Sequence, residues 1–477
     1  MDLYRLTATE ASELFRRREL SPVDLLESVI ARTEATEPMI NAVTEQWIDE
    51  ARSAAARSEA RFVAEEPVGA LEGIPLMLKD EQPIAGRPLE DGCLLEQGTI
   101  AEETHPIVER IQAAGAVIHA RTTTPEYCCA PVTHSKLWGI TRNPWNPDFT
   151  PGGSSGGSGA VLAAGSTLLA TGSDIGGSIR IPASFCGVVG FKPPFGRVPG
   201  MAPFNSDTYC ADGPMGRSVA DVALLQNVIS GPWVGDAASL REVAAVSGAA
   251  GSLRGIRIAL CLDLGGYDVD PAIEANTRAV AAALVAAGAT VDEVALPWGP
   301  ERVLSTAWPH FGAVMGPFIE SIAEGDEARA AQLMPYTRAF AAEAAAGGDY
   351  VSGLEAESAF YRPFAELMTG YDALICPTIA TTGLAADEPC TDSADVFSKL
   401  MTLPFNVIGR VPVLAVPSGI APNGVPTGVQ IVGRTYDDAT VFRVGAALEQ
   451  ELALWTDPAW WPALEFAAAA TAAAASY

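Results

Sequence analysis

Short apolar runs of strand length alternate along this chain with longer stretches in which apolar residues recur at helical spacing. A run of four to eight apolar residues suits a buried strand, and recurrence at i, i+3 and i+4 suits one face of a helix. Residues 9–62 read as helical. Within them Ser21-Pro22-Val23-Asp24 is a helix start, with serine as cap and proline at the first position, and Leu25, Leu26, Val29 and Ile30 follow at helical spacing. The run Glu-Gly-Ile-Pro-Leu-Met-Leu-Lys at 72–79 predicts a buried strand, 104–115 a helix and 116–120 a strand. A buried helix is predicted over 160–171 and a further buried element over 185–191. Beyond these, 217–230 and 271–287 read as helices, and 254–261 and 289–295 as strands. Residues 300–370 are mostly helical and Ala-rich, and 371–376, 413–417 and 428–432 are strands. This alternation predicts an α/β sheet. No linker-like segment or internal repeat divides the chain.

Composition narrows the class. The 477 residues exceed one typical domain, although a single large α/β domain accommodates them, and 48% hydrophobic content supplies a sizeable core. A formal net charge of −28 argues against a nucleic-acid groove and against an anionic membrane surface. No basic segment followed by an apolar one opens the chain, and no apolar run reaches membrane-spanning length, so a cytoplasmic location is expected. The eight cysteines are scattered without a C-x-x-C pair, and the four histidines (His105, His119, His134, His310) show no metal-ligand spacing. Neither a metal nor a cofactor is expected. Only four lysines occur: Lys79, Lys136, Lys192 and Lys399.

The densest chemical signal lies between Gly152 and Arg180. Gly152-Gly153-Ser154-Ser155-Gly156-Gly157-Ser158-Gly159 and Asp174-Ile175-Gly176-Gly177-Ser178-Ile179-Arg180 are two Gly/Ser turns flanking an apolar run. Glycine lets backbone N–H groups crowd a small site, and serine offers a nucleophile that needs a base. A phosphate-binding loop would require Gly-Lys-Ser/Thr, which is absent. Gly152–Gly156 matches the nucleophile-elbow pattern G-x-S-x-G. Pro144, Pro147 and Pro151, however, make the preceding segment a loop rather than the strand that motif requires. No lysine has a serine three residues before it, which excludes the S-x-x-K pattern. A flexible linker would not enclose Val161-Leu162-Ala163-Ala164. The remaining base is Lys79, at the end of the apolar run Ile74–Leu78. Desolvation there favours the neutral amine a base needs, whereas snorkelling or the adjacent Asp80 would keep it charged.

Gly73-Ile74-Pro75 leading to Lys79-Asp80, the first Gly/Ser turn, and Asp174 through Arg180 to Gly190-Phe191-Lys192-Pro193 together resemble the amidase signature family. Twenty-four positions separate Ser154 from Ser178, which also fits, and the resemblance extends to Pro426-Thr427-Gly428-Val429-Gln430-Ile431-Val432-Gly433. It implies a single large α/β/α domain over 1–466 with a mixed sheet of about eleven strands. Within that domain fall N-terminal helices over about 1–65, a signature core over about 70–230 and a variable, substrate-lining helical region over about 300–370. An Ala-rich tail follows over 467–477.

The resemblance further implies a Ser–cis-Ser–Lys triad. Ser178 is then the nucleophile, Ser154, preceded by a cis peptide bond, the bridge, and neutral Lys79 the base. The N–H groups of Ile175, Gly176, Gly177 and Ser178 surround the oxyanion, and Asp174 and Arg180 hold the nucleophile loop. On spacing, Ser155 competes with Ser154 for the bridge. Lys136 and Lys192 have no catalytic role. The chain departs from the common pattern at Glu81, where Asn is usual, along Gln82–Gly98, and at Tyr127-Cys128-Cys129, which replaces the usual Phe-Gly. Cys128 and Cys129 read as small buried hydrophobes. One family branch is the glutaminase subunit of tRNA-dependent amidotransferases, which carries an arginine-rich segment that Arg329–Phe340 does not match. The sequence therefore favours a stand-alone hydrolase, acting through an acyl-enzyme on an apolar or aryl small-molecule amide with ester or carbamate side activity. Trp308, Phe311, Met315 and Phe340 are candidates to line its pocket, although core packing explains each of them. The amidotransferase glutaminase is the alternative. The expected partners are a small-molecule amide and a second copy of the chain, with no nucleic acid and no membrane.

Overall fold

Local signals set the first elements. Thr7 caps the helix Ala8–Arg17 in a reciprocal capping box with Glu10, and Ser21 caps Pro22–Ile40. Asn41, in a left-handed conformation (φ 49°), ends that second helix. The chain then does what the helical reading of 9–62 missed. It forms a short strand, Val43–Gln46, before the helix Ile48–Val63.

The computed structural model describes residues 2–323, 325–457 and 459–464. The domain boundary expected at 466 and the Ala-rich tail lie outside them. Eleven strands make one mixed sheet, numbered in chain order: β1 Val43–Gln46, β2 Pro75–Lys79, β3 Val117–Thr122, β4 Leu169–Asp174, β5 Val189–Lys192, β6 Ala211–Gly216, β7 Arg257–Leu260, β8 Thr290–Glu293, β9 Ala373–Pro377, β10 Val413–Ile420 and β11 Pro426–Gly433. Their spatial order is β1-β3-β2-β4-β6-β5-β10-β11-β9-β7-β8. β2 runs parallel to both β3 and β4, while β6, β5, β10 and β11 form an antiparallel centre.

Alternation along the central strands separates the two faces. Leu414 and Val416 of β10 and Phe191 of β5 pack with Phe442 of the helix Asp438–Leu452 on one side. Ala415 points the other way and packs with Ile179 and Ala183, beside and within the helix Arg180–Cys186. A sheet with a helical layer on each face is therefore built from residues that the sequence places one apart. The helices between 300 and 367 add a further core around Trp298, Phe311, Phe340 and Phe360.

The predicted buried helix over 160–171 is divided. The helix spans Gly156–Ala164, and Gly165 ends it in the left-handed region (φ 82°). The chain then enters β4 at Leu169. The two Gly/Ser turns are thus the entrances to two buried helices, and β4 connects them across the sheet. In the parallel pairing Met77 of β2 lies opposite Ala170 of β4. The carboxyl ends of both strands, Lys79 and Asp174, therefore emerge on the same edge of the sheet.

Candidate active site

Lys79 ends β2 and is fully buried. Its Nζ donates to Ser154 Oγ and Ser173 Oγ, each at 2.8 Å, and forms an ion pair with Glu81 Oε1 at 3.1 Å. Burial pulls this amine down, but Cys128 and Glu81 beside it outweigh burial, and the group stands above its ordinary value. The charge responsible is that of Glu81. Burial pushes the Cys128 thiol far up, so it stays protonated and donates from Sγ to Glu81 Oε2 at 2.9 Å. Burial would also raise the Glu81 carboxyl, yet Lys79 holds it low. Desolvation favours a neutral Lys79, and the carboxylate two residues along opposes it from 3.1 Å.

The peptide bond between Gly153 and Ser154 is cis. Ser154 turns its hydroxyl to Lys79, whereas Ser155 Oγ donates to the Ser173 carbonyl at 3.3 Å and accepts from the Ser173 N–H. Of the two bridge candidates, only Ser154 touches the lysine.

The second turn is organised by a buried ion pair. Asp174 and Arg180 are both fully buried, with Nη2–Oδ1 at 2.8 Å and Nε–Oδ2 at 2.9 Å. The remaining guanidinium hydrogens go to the Thr402 carbonyl, Gln430 Oε1 and Asn406 Oδ1. All five N–H donors of Arg180 are thereby used. Burial would raise the Asp174 carboxyl, but Arg180 and Asn406 bring it below its ordinary value. Asp174 Oδ1 also takes the Gly177 N–H at 2.8 Å, and Oδ2 takes that of Ile179. The N–H groups of Ile175, Gly176 and Ser178 have no acceptor among the described residues. Gly177 sits at φ 133°, and a Cβ there would lie 2.1 Å from Thr402 Oγ1.

Ser178 is 8% exposed, and its Oγ makes no hydrogen bond among the described residues, so no hydroxyl link to Ser154 is closed. It opens on a cavity of about 40 Å³ walled by Ile175, Ala130, Phe311, Met315, Phe340 and Phe397. Three of the four pocket candidates are therefore at the wall. Trp308 packs behind it, on Phe311, Phe340 and Phe397. Cys128 also faces this cavity and a second one of about 500 Å³, which Glu81, Ser173, Asp212 and His105 line. Tyr127 and Cys128 both take left-handed φ (48° and 58°), a region glycine enters freely, which explains why this segment usually carries one.

The other lysines are structural. Lys136 Nζ donates to the carbonyls of Ala331, Gln332 and Leu333, and Lys192 Nζ to those of Pro193, Gly409 and Val411. Sequence reasoning missed Ser173, Thr402 and Asn406. Ser173 was findable, because Thr171 and Ser173 alternate on β4 and both meet Lys79, Thr171 through the lysine's own N–H. Thr402 and Asn406 carry no local signal, since they reach the site from more than 220 residues away. No group of histidine, cysteine and acidic residues able to hold a metal, and no helix long and apolar enough to cross a membrane, occurs among the described residues.

Comparison with known proteins places this geometry. Residues 24–442 match the family model described as Amidase. A glutamyl-tRNA(Gln) amidotransferase subunit of Synechococcus sp. (strain CC9605) is 34% identical over 481 residues, covering 94% of this chain and 97% of that protein. Among solved structures, a bacterial aryl acylamidase of the amidase signature family superposes with a TM-score of 0.85 at 28% identity, covering 94% and 96% of the two chains. The corresponding glutamyl-tRNA(Gln) amidotransferase subunit from Thermotoga maritima gives 0.77 at 26%, covering 94% and 95%.

Two expectations are corrected by these matches. The stand-alone hydrolase of apolar or aryl small molecules gives way, because the curated relatives at 32–34% identity over nearly the whole chain are amidotransferase subunits. The expectation of a small-molecule partner without nucleic acid falls with it. The no-nucleic-acid expectation leaned on the net charge of −28, and the stand-alone reading on Arg329–Phe340, a short stretch that the fold uses for packing. Its Met334 N–H donates to Glu126, and its Tyr336 hydroxyl meets the Glu126 N–H and the His134 carbonyl. Its departure from a local pattern carries less weight than likeness along the full chain.

Proposed function

This chain belongs to the amidase signature family, and from that premise we propose that it is the glutamine-hydrolysing component of a tRNA-dependent amidotransferase. The observation that carries the substrate class is the full-length likeness to glutamyl-tRNA(Gln) amidotransferase subunits. The chemistry rests on Lys79, Ser154 and Ser178. Lys79, once it has lost a proton, takes one from Ser154 across the 2.8 Å contact, and Ser154 takes one from Ser178. Ser178 Oγ then bonds to the carboxamide carbon. The oxyanion is met by the N–H groups of Ile175, Gly176 and Ser178, with Gly177 N–H spent on holding Asp174. Ser154 gives a proton to the leaving nitrogen and regains one from Lys79, the C–N bond breaks, and ammonia departs. Water then cleaves the acyl-enzyme. The apolar cavity suits the aliphatic stem of glutamine.

The relatives are subunits of a tRNA-dependent enzyme, so on this reading the chain works with partner subunits that receive the ammonia. The test is reconstitution. With the remaining subunits of the amidotransferase from the same source, the chain should support glutamine-dependent conversion of Glu-tRNA(Gln) to Gln-tRNA(Gln). Ser178→Ala should abolish glutamine use while leaving conversion with free ammonium intact. A complex that forms but never hydrolyses glutamine would sink the reading.

A further inference from the structure

We propose that Glu81 sets the working pH of this site: its carboxylate clamps Lys79 as an ammonium, and Ser178 becomes reactive only as that proton leaves. The inference rests on the roles proposed for Lys79, Ser154 and Ser178, and it concerns what controls them.

Nζ donates to two serine hydroxyls and has one carboxylate at ion-pair distance, 3.1 Å. A base needs a lone pair directed at Ser154, and an ammonium donating to Ser154 has none. With Asn at position 81, the usual residue, the pull of a full negative charge on Nζ would be absent. The carboxylate is fixed as well as near, because its second oxygen accepts the Cys128 thiol at 2.9 Å.

The other titratable groups around the pair do not supply this charge. Cys128 and Cys210 are thiols that burial keeps protonated. Asp212 accepts from Gln82 Nε2 at 3.0 Å and lies 3.5 Å from His105 Nε2. Asp80 turns to Arg121 at 3.7 Å, and burial, with Asp80 and Glu81 nearby, raises the Asp91 carboxyl well above its ordinary value. Among the described residues, Glu81 is the one carboxylate within ion-pair distance of Lys79. It is also 22% exposed and lines the 500 Å³ cavity, so a proton leaving Nζ has a route out. The step is simple in balance: Nζ gives one proton to solvent through that cavity, Glu81 stays ionised, and no other bond changes.

The readout is the rate at which a fluorophosphonate labels the protein as a function of pH, with the labelled residue located by mass spectrometry. This reagent needs no knowledge of the natural substrate. Wild type should label at Ser178 with a rate that climbs on an alkaline limb. Glu81→Gln should move that limb down by at least about one pH unit, a gain of roughly tenfold in rate below the wild-type limb. Glu81→Asp, which keeps a carboxylate, should hold the limb near its wild-type position, and Glu81→Asn repeats the test should the glutamine variant fail to fold. A merely structural role would lower the rate at every pH and leave the limb where it is. An unmoved or upward-moved limb in a folded Glu81→Gln or Glu81→Asn overturns the proposal. Labelling of the wild type at a residue other than Ser178 would instead overturn the nucleophile reading beneath it.

Discussion

Arg180 shows how a single side chain can hold the nucleophile turn. It touches no cavity, yet its five N–H groups join the turn itself (Asp174), the segment after 400 (Thr402, Asn406) and β11 (Gln430). Removing one partner of a fully buried ion pair leaves the other charge unpaired, at a cost of about 3–5 kcal/mol. Arg180→Ala should therefore lower the unfolding free energy measured by urea titration by an amount of that order and abolish labelling of Ser178. Arg180→Lys retains the charge but offers three hydrogens to five acceptors, and should fall between wild type and alanine in both measurements. Gln430, part of the C-terminal signature, gains a reason by the same route. It accepts from Arg180 and donates to the carbonyls of Pro377 and Met401, so it locks the turn to the sheet.

At the scale of elements, the second turn depends on backbone shape. Gly177 combines φ 133° with a neighbour 2.1 Å from where a Cβ would sit, and that neighbour, Thr402 Oγ1, is itself donating to the Gly176 carbonyl at 2.7 Å. Gly177→Ala should push the N–H groups of Gly176 and Ser178 out of line and cut turnover on the order of 10²-fold, as loss of an oxyanion donor does. Steady-state kinetics beside a thermal melt would check it: turnover falls far more than stability. The elements legible in the sequence were those whose signal is local, such as β2 and β9, which carry short apolar runs. Three strands were not. β1 sits inside a helical pattern, β4 was absorbed into the apolar run before it, and β6 (Ala-Asp-Gly-Pro-Met-Gly) carries two glycines and a proline and reads as loop. β4 and β6 lie at the centre of the sheet, where pairing on both sides overrides weak propensity. The serines, Lys79, Asp174 and Arg180 were legible because their spacing within the motif is fixed. Glu81 was visible only as an oddity, since its meaning depends on Nζ lying 3.1 Å away.

For the whole molecule, the charge of −28 counts every carboxylate as ionised, and burial makes that an overstatement near neutrality. Burial pushes the carboxyls of Glu37 and Glu449 up to about 7. Each accepts a backbone N–H in its protonated or ionised form, Glu37 from Val43 and Glu449 from Val219, both at 2.9 Å. The sign of their effect follows from proton counting. Between the unfolded value of 4.5 and about 7, the folded chain keeps a proton that the unfolded chain has released. Stability contributed by such a group therefore falls as pH rises through that window. Asp174 acts in the opposite sense, because its folded value is lowered and its contribution is lost in acid. The raw pH profile mixes these terms, so the informative quantity is a difference between variants. Glu449→Gln keeps a carbonyl oxygen for the Val219 N–H and removes the charge. Its melting temperature should equal that of the wild type below the window. Above the window it should exceed the wild type by a few degrees, the scale expected of a kilocalorie-sized change in a large domain. Equal melting temperatures on the alkaline side would show that Glu449 is ionised at no cost, and that the segment joining the start of the helix Val219–Ile229 to Asp438–Leu452 is open to water.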